Sequence, residues 1–107
     1  MTGRKAKVRI VRWDRSWTEV DGEVYGRHLA LTPTVHGIGF TITHLRTGRA
    51  VSQTLKGLPL KRARAIVSDL AKLRGWSLTR RDVRRPKGQS LFARVEAVYA
   101  KHVKRAA

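Results

Sequence analysis

Twenty-four lysines and arginines stand against seven aspartates and glutamates in 107 residues, a formal net charge of +17. Any compact form of this chain must carry that self-repulsion, which an anionic partner relieves. The charge alone would permit a disordered basic tail. The 41% hydrophobic content argues otherwise, since it fills one modest core. The length allows a single domain over 1–107, with 1–6 and 106–107 expected to be mobile ends.

Arginine outnumbers lysine 16 to 8. Its planar fork of donors suits phosphate and base edges, where lysine acts as a point charge. Nucleic acid is therefore the first partner class, ahead of an acidic membrane surface or an acidic protein. The absence of cysteine excludes disulfides, thiolate zinc sites and cysteine nucleophiles. No apolar run reaches membrane-spanning length. The charged start leads into Val8-Arg9-Ile10-Val11-Arg12, so no secretory signal is expected.

Composition changes along the chain. Residues 1–57 are rich in Val, Ile, Thr and Gly, while 58–107 are rich in Ala, Leu and Arg. Strands first and helices afterwards is an α+β pattern. The reading is an N-terminal antiparallel sheet of four to five strands, then two longer helices, with room for a short third helix between them. Strands are expected at Lys7 to Trp13, Trp17 to Val20, Glu23 to Tyr25 (after a hairpin turn at Asp21-Gly22) continuing past Gly26 through His28 to Thr32, Ile38 to Leu45, and Ala50 to Leu55. Gly26 reads as a bulge.

Pro59 suits a first helical position. Leu60, Ala63, Ile66, Val67, Leu70 and Leu73 form a stripe that Gly75 ends. Ser90 reads as the N-cap of a last helix, whose face carries Leu91, Val95, Val98 and His102. Residues 76–89 are the least determined. Thr79 to Asp82 has capping-box spacing, and Pro86 with Gly88 would end such a helix quickly.

Two basic sets are candidate nucleic-acid-binding residues. Arg80, Arg81, Arg84, Arg85 and Lys87 place five cations within eight residues, with Asp82 the only anion among them. That density suits phosphate contacts. Lys61, Arg62, Arg64, Lys72 and Arg74 form a nearly one-signed face on the first helix, with Asp69 the exception. A helix-turn-helix across 59–85 would aim Arg80, Arg81, Arg84 and Arg85 at a groove. An arginine where the second helix needs an apolar anchor weakens that reading.

Trp13, Trp17 and Trp76 are each flanked by basic residues, as base-stacking aromatics are. With seven aromatics in all, the core has the stronger claim. Trp13 and Trp17 would then pair across a hairpin, and Trp76 would cap the core. That assignment leaves duplex DNA favoured over unpaired bases.

His28, His36, His44 and His102 lack ligand spacing, and the carboxylates are scattered. Neither a nucleophile elbow nor a phosphate-binding glycine loop occurs. No catalysis, metal or cofactor is expected.

The run Phe40-Thr-Ile-Thr-His-Leu-Arg-Thr-Gly-Arg-Ala-Val51, followed by Leu58-Pro59 and an Ala/Leu helix, resembles units with the pattern Thr-His-x-x-Thr-Gly-x-x-Val. Such units occur in small, mostly uncharacterised basic proteins of actinobacterial phages and their hosts. The likeness covers residues 38–73. It implies a cytoplasmic, phage-encoded or host protein, supplies a turn glycine at Gly48, and carries no catalytic residue.

The sequence-level expectation is a DNA-binding protein of the bacterial cytoplasm or nucleoid, with weak or no sequence specificity, as a monomer or a dimer. Structured RNA is the second ligand. The rival is a basic interaction protein docked on an acidic surface of a host enzyme.

Overall fold

The computed structural model describes residues 3–12, 14–34, 37–52, 55–73, 76 and 86–106; in the last helix, side chains are described for 91–103. Strands β1 (Arg4–Val11), β2 (Trp17–Tyr25), β3 (Leu29–Pro33), β4 (Phe40–His44) and β5 (Arg49–Ala50) precede helices α1 (Leu60–Leu70) and α2 (Pro86–Ala106). The five strands form one antiparallel sheet in chain order. This is the expected α+β arrangement. Neither described helix is long and apolar enough to cross a membrane.

Several boundaries differ from the sequence reading. The ladder begins at Arg4, inside the stretch expected to be mobile. Asp21-Gly22 is not a turn: Lys7 pairs with Asp21 and Ala6 with Gly22, so β2 runs unbroken for nine residues. The chain reverses instead at 26–28, where Gly26 takes φ 66°. β1 is long enough to pair along almost all of β2, and eight rungs of ladder outweigh one local turn preference. The return strand expected over 50–55 is only two residues long.

Helix α1 lies within a residue of its expected start, with Pro59 just outside it and the Pro59 carbonyl accepting from the Ala63 N–H. Helix α2 opens at Pro86, four residues before the expected cap at Ser90. A proline lacks only an N–H that the first helical turn leaves unpaired anyway, so it starts a helix as readily as it stops one. Gly88 inside that helix costs about 1 kcal/mol relative to alanine. The span 77–85, with the expected short helix and the second half of any helix-turn-helix, lies outside the described residues.

Strand pairing sorts the side chains onto two faces. One presents Tyr25, Leu29, Leu31 and Ile42 to Ala63, Ile66, Val67 and Leu70 of α1 and to Leu91 and Val95 of α2. Each large apolar side chain buried here contributes about 1.5–3 kcal/mol. The other face carries Val8, Ile10, Val24 and Ala30 in a second cluster. The sheet coils around that cluster until the end of β1 meets the β4–β5 turn, where the Val11 N–H donates to the Gly48 carbonyl at 2.9 Å.

Polar contacts tie neighbouring elements within each layer. The hydroxyls of Thr32 and Thr43 bond at 2.9 Å. His102 Nε2 meets Asp69 Oδ2 at 2.7 Å across the α1–α2 seam, and this bond from His102 holds the Asp69 carboxyl below its ordinary value.

His44 is buried, its Nε2 lying 2.6 Å from the Trp76 carbonyl and its Nδ1 3.1 Å from the Thr47 hydroxyl. A carbonyl only accepts, so Nε2 carries the proton and Nδ1 accepts from Thr47. Burial lowers the pKa below the ordinary 6.5 despite the Trp76 carbonyl, with His28 and Arg46 adding to the depression. Below pH 6.5 the unfolded chain binds a proton that folded His44 resists, so stability falls with pH. Urea midpoints should therefore decline between about pH 6.5 and 5, above the window in which Asp69 and Glu23 titrate. A flat profile in that interval, or one unchanged in His44→Gln, would remove His44 as the cause.

Candidate nucleic-acid interface

The carboxylates define the interface by elimination. Along β2, Glu23, Asp21 and Glu19 stand opposite Lys5, Lys7 and Arg9 of β1. Lys7 Nζ is within salt-bridge distance of Asp21. Glu23 is also gripped by Arg64, with Nη2 to Oε2 at 2.7 Å and Nε to Oε1 at 3.1 Å. That fork is the principal reason the Glu23 pKa lies below its ordinary value, and Tyr25 adds a further bond. Asp14 accepts from the Ser16 N–H and hydroxyl in the β1–β2 turn. Asp69 takes His102 and, at 3.7 Å, Lys72. Glu96 accepts from Ser52 at 2.9 Å. Each of the six acidic residues described is thus bonded within the fold or faces a cation.

The set expected on the first helix divides under this geometry, because α1 ends at Leu70 and Lys72 lies in the turn that follows it. Arg64 is committed to Glu23, and Lys72 lies beside Asp69. Lys61 and Arg62 are exposed and form no ion pair among the described residues. Arg74, Arg80, Arg81, Arg84 and Arg85 lie outside the described residues, and Lys87 sits in the first turn of α2 with its side chain outside them. The structure therefore brings together only part of the expected surface.

It assembles another surface that the sequence reading missed. The Val11–Gly48 hydrogen bond joins the β1–β2 and β4–β5 turns. Within four residues of those two atoms lie Arg9, Arg12, Arg15, Arg46 and Arg49, all exposed. Arg15 holds φ 69°, a left-handed conformation costing an ordinary residue about 1–2 kcal/mol.

Trp17 lies in their midst. It is 53% exposed, with the Arg9 guanidinium carbon over its ring, 5.4 Å from the centroid. Its expected place in the core is thus overturned, while Trp13, its proposed partner, lies outside the described residues. Trp76 does occupy the core, at 6% exposure. The difference is one of position along the strand. Trp17 pairs with Val11 at the far end of the hairpin; alternation puts it on the same face as Tyr25, but eight residues away along β2 and outside the cluster that packs against the helices.

Among the described residues no three histidine or acidic side chains gather as a metal site would require. No protein family, curated protein or solved structure matches the chain.

Proposed function

We propose that this chain is a nucleic-acid-binding protein that grips DNA chiefly through phosphate contacts, with weak sequence preference. The observation that carries this reading is the one-sided charge balance: each described carboxylate is bonded within the fold or faces a cation, and the cations far outnumber them, so the excess needs an external counter-charge. Arg12, Arg15 and Arg49 at the closed end of the sheet, Lys61 and Arg62 on α1, and the sequence cluster Arg80, Arg81, Arg84, Arg85 and Lys87 supply that contact. The proposal places the protein in a bacterial cytoplasm or nucleoid, in a phage or its host, with no cofactor and no chemistry of its own.

A salt titration on random-sequence duplex DNA tests it. With about six phosphates neutralised, log K should fall against log salt with a slope of roughly −5. Replacing Arg80, Arg81, Arg84 and Arg85 together by alanine should reduce that slope by up to ~3.6, at −0.9 per contact, equally for all sequences. A slope near zero, or poor duplex binding even at low salt, overturns the reading in favour of an acidic protein partner. Loss on one preferred sequence alone would instead reveal base readout.

A further inference from the structure

We propose that Trp17 and Arg9 form a stacking platform for an unpaired base, so that the closed end of the sheet takes single-stranded DNA. This rests on the nucleic-acid reading above and adds the form of the ligand. Three observations meet at the site.

The first is the indole itself. A small domain with seven aromatics gains much from burying each one, yet Trp17 stays 53% exposed, as Phe92 does at 50%, while Trp76 and Tyr25 are inside. What marks Trp17 is the guanidinium over its ring. The second is that the ring is seated, not dangling. Gly48 takes φ 68°, and a Cβ built there would lie 2.8 Å from the ring atom Cζ3 of Trp17 and 3.2 Å from a Val11 methyl. The absence of a side chain at Gly48 therefore lets the indole rest against the turn, so little ordering entropy remains to be lost on stacking. The third is charge. The Arg9 guanidinium stands over the ring, and Arg12, Arg15, Arg46 and Arg49 lie within four residues of the Val11–Gly48 bond that closes the sheet.

An aromatic surface set among phosphate-binding cations is the combination single-strand binders use. The ring accepts any base, because every base has a π face, and the arginines follow the backbone. Duplex DNA keeps its bases stacked on one another and offers this indole nothing to stack on. The platform thus separates unpaired DNA from duplex by stacking, while the phosphate contacts remain common to both.

The test measures binding of the full chain to oligo-dT, oligo-U and a random duplex at one low salt concentration, for wild type, Trp17→Ala, Trp17→Phe and Arg9→Ala, with thermal melts confirming the fold. Trp17→Ala should weaken oligo-dT binding roughly 5- to 100-fold and duplex binding less than about twofold. Trp17→Phe, which keeps a π face, should recover most of the loss. Arg9→Ala should weaken oligo-dT more than duplex. Equal losses on both ligands, or none on either, would overturn the platform and leave the nucleic-acid reading standing. Tighter binding of oligo-U than of oligo-dT would overturn the assignment to DNA. Wild type that binds none of the three would take down the nucleic-acid reading itself.

Discussion

Gly39→Ala should destabilise the protein by about 3 kcal/mol or more, whereas Gly57→Ala should cost only about 1 kcal/mol. Both glycines hold left-handed backbone, at φ 84° and φ 65°, so each substitution carries the conformational penalty of an ordinary residue there. They differ in what the new methyl meets. At Gly39 it would lie 2.6 Å from the Gly57 carbonyl carbon and 2.8 Å from the Leu58 oxygen, both backbone atoms. At Gly57 its nearest neighbour is the Ile38 oxygen at 3.5 Å, an ordinary contact. Relief at Gly39 requires the two segments to part, and that breaks the Phe40–Leu58 bridge. Its two hydrogen bonds, at 2.8 and 2.9 Å, bring the chain into α1 alongside β4. Urea unfolding of the two variants measures the contrast. Equal losses would show that only backbone conformation matters and that the close approach relaxes freely.

Nothing in the sequence marks that approach: Gly39 falls inside the expected strand Ile38 to Leu45, where no local pattern calls for a glycine. Turn chemistry is local, while the contact that demands a glycine here comes from residues 57 and 58. The same limit explains Asp21-Gly22. The pair is compatible with a hairpin, but the partner strand lying alongside it decides the outcome. What the sequence does carry is whatever a long segment repeats. The shift from β-branched to Ala/Leu-rich composition marks the order of sheet and helices. The stripe Ala63, Ile66, Val67, Leu70 is the buried face of α1, and Leu91 and Val95 are buried on α2.

The interface was legible only as charge. Arg9, Arg12 and Arg15 lie more than thirty residues from Arg46 and Arg49, and the two groups are brought to one end of the sheet by the Val11–Gly48 hydrogen bond, which no periodicity announces. Conversely, Lys61, Arg62, Arg64 and Lys72 read as one face, because the anion that claims Arg64 sits forty-one residues earlier, on β2. Trp17 looked like core because aromatics are scarce. Its exposure depends on how far the helices reach across the sheet, a matter of tertiary placement.

Trp76→Ala should be among the most damaging single changes in the molecule, costing about 3–5 kcal/mol. For a chain of this length total stability is roughly 5–15 kcal/mol, so the melting temperature should fall by some 15–30 °C. Trp76 packs in the main cluster with Ile66, Leu70 and Leu91, and its Nε1–H donates to the Leu70 carbonyl at 2.8 Å. Its own carbonyl receives the His44 Nε2–H, with the two rings tilted at 37° and 6.1 Å apart. The residue thus joins the end of α1 to β4. Trp76→Phe separates packing from hydrogen bonding. It retains most of the ring, and the Leu70 carbonyl still accepts from the Leu73 N–H at 3.0 Å. Its cost should be nearer 1–2 kcal/mol. Similar losses in the two variants would mean that the indole N–H, not the buried volume, holds the junction. The His44 carbonyl also accepts from the Gly48 N–H at 2.8 Å, in the turn against which Trp17 rests. Because His44 meets the backbone carbonyl of Trp76, that link survives in Trp76→Phe. The variant should therefore melt earlier yet bind oligo-dT like wild type at temperatures where it is folded, which separates core damage from loss of the stacking platform.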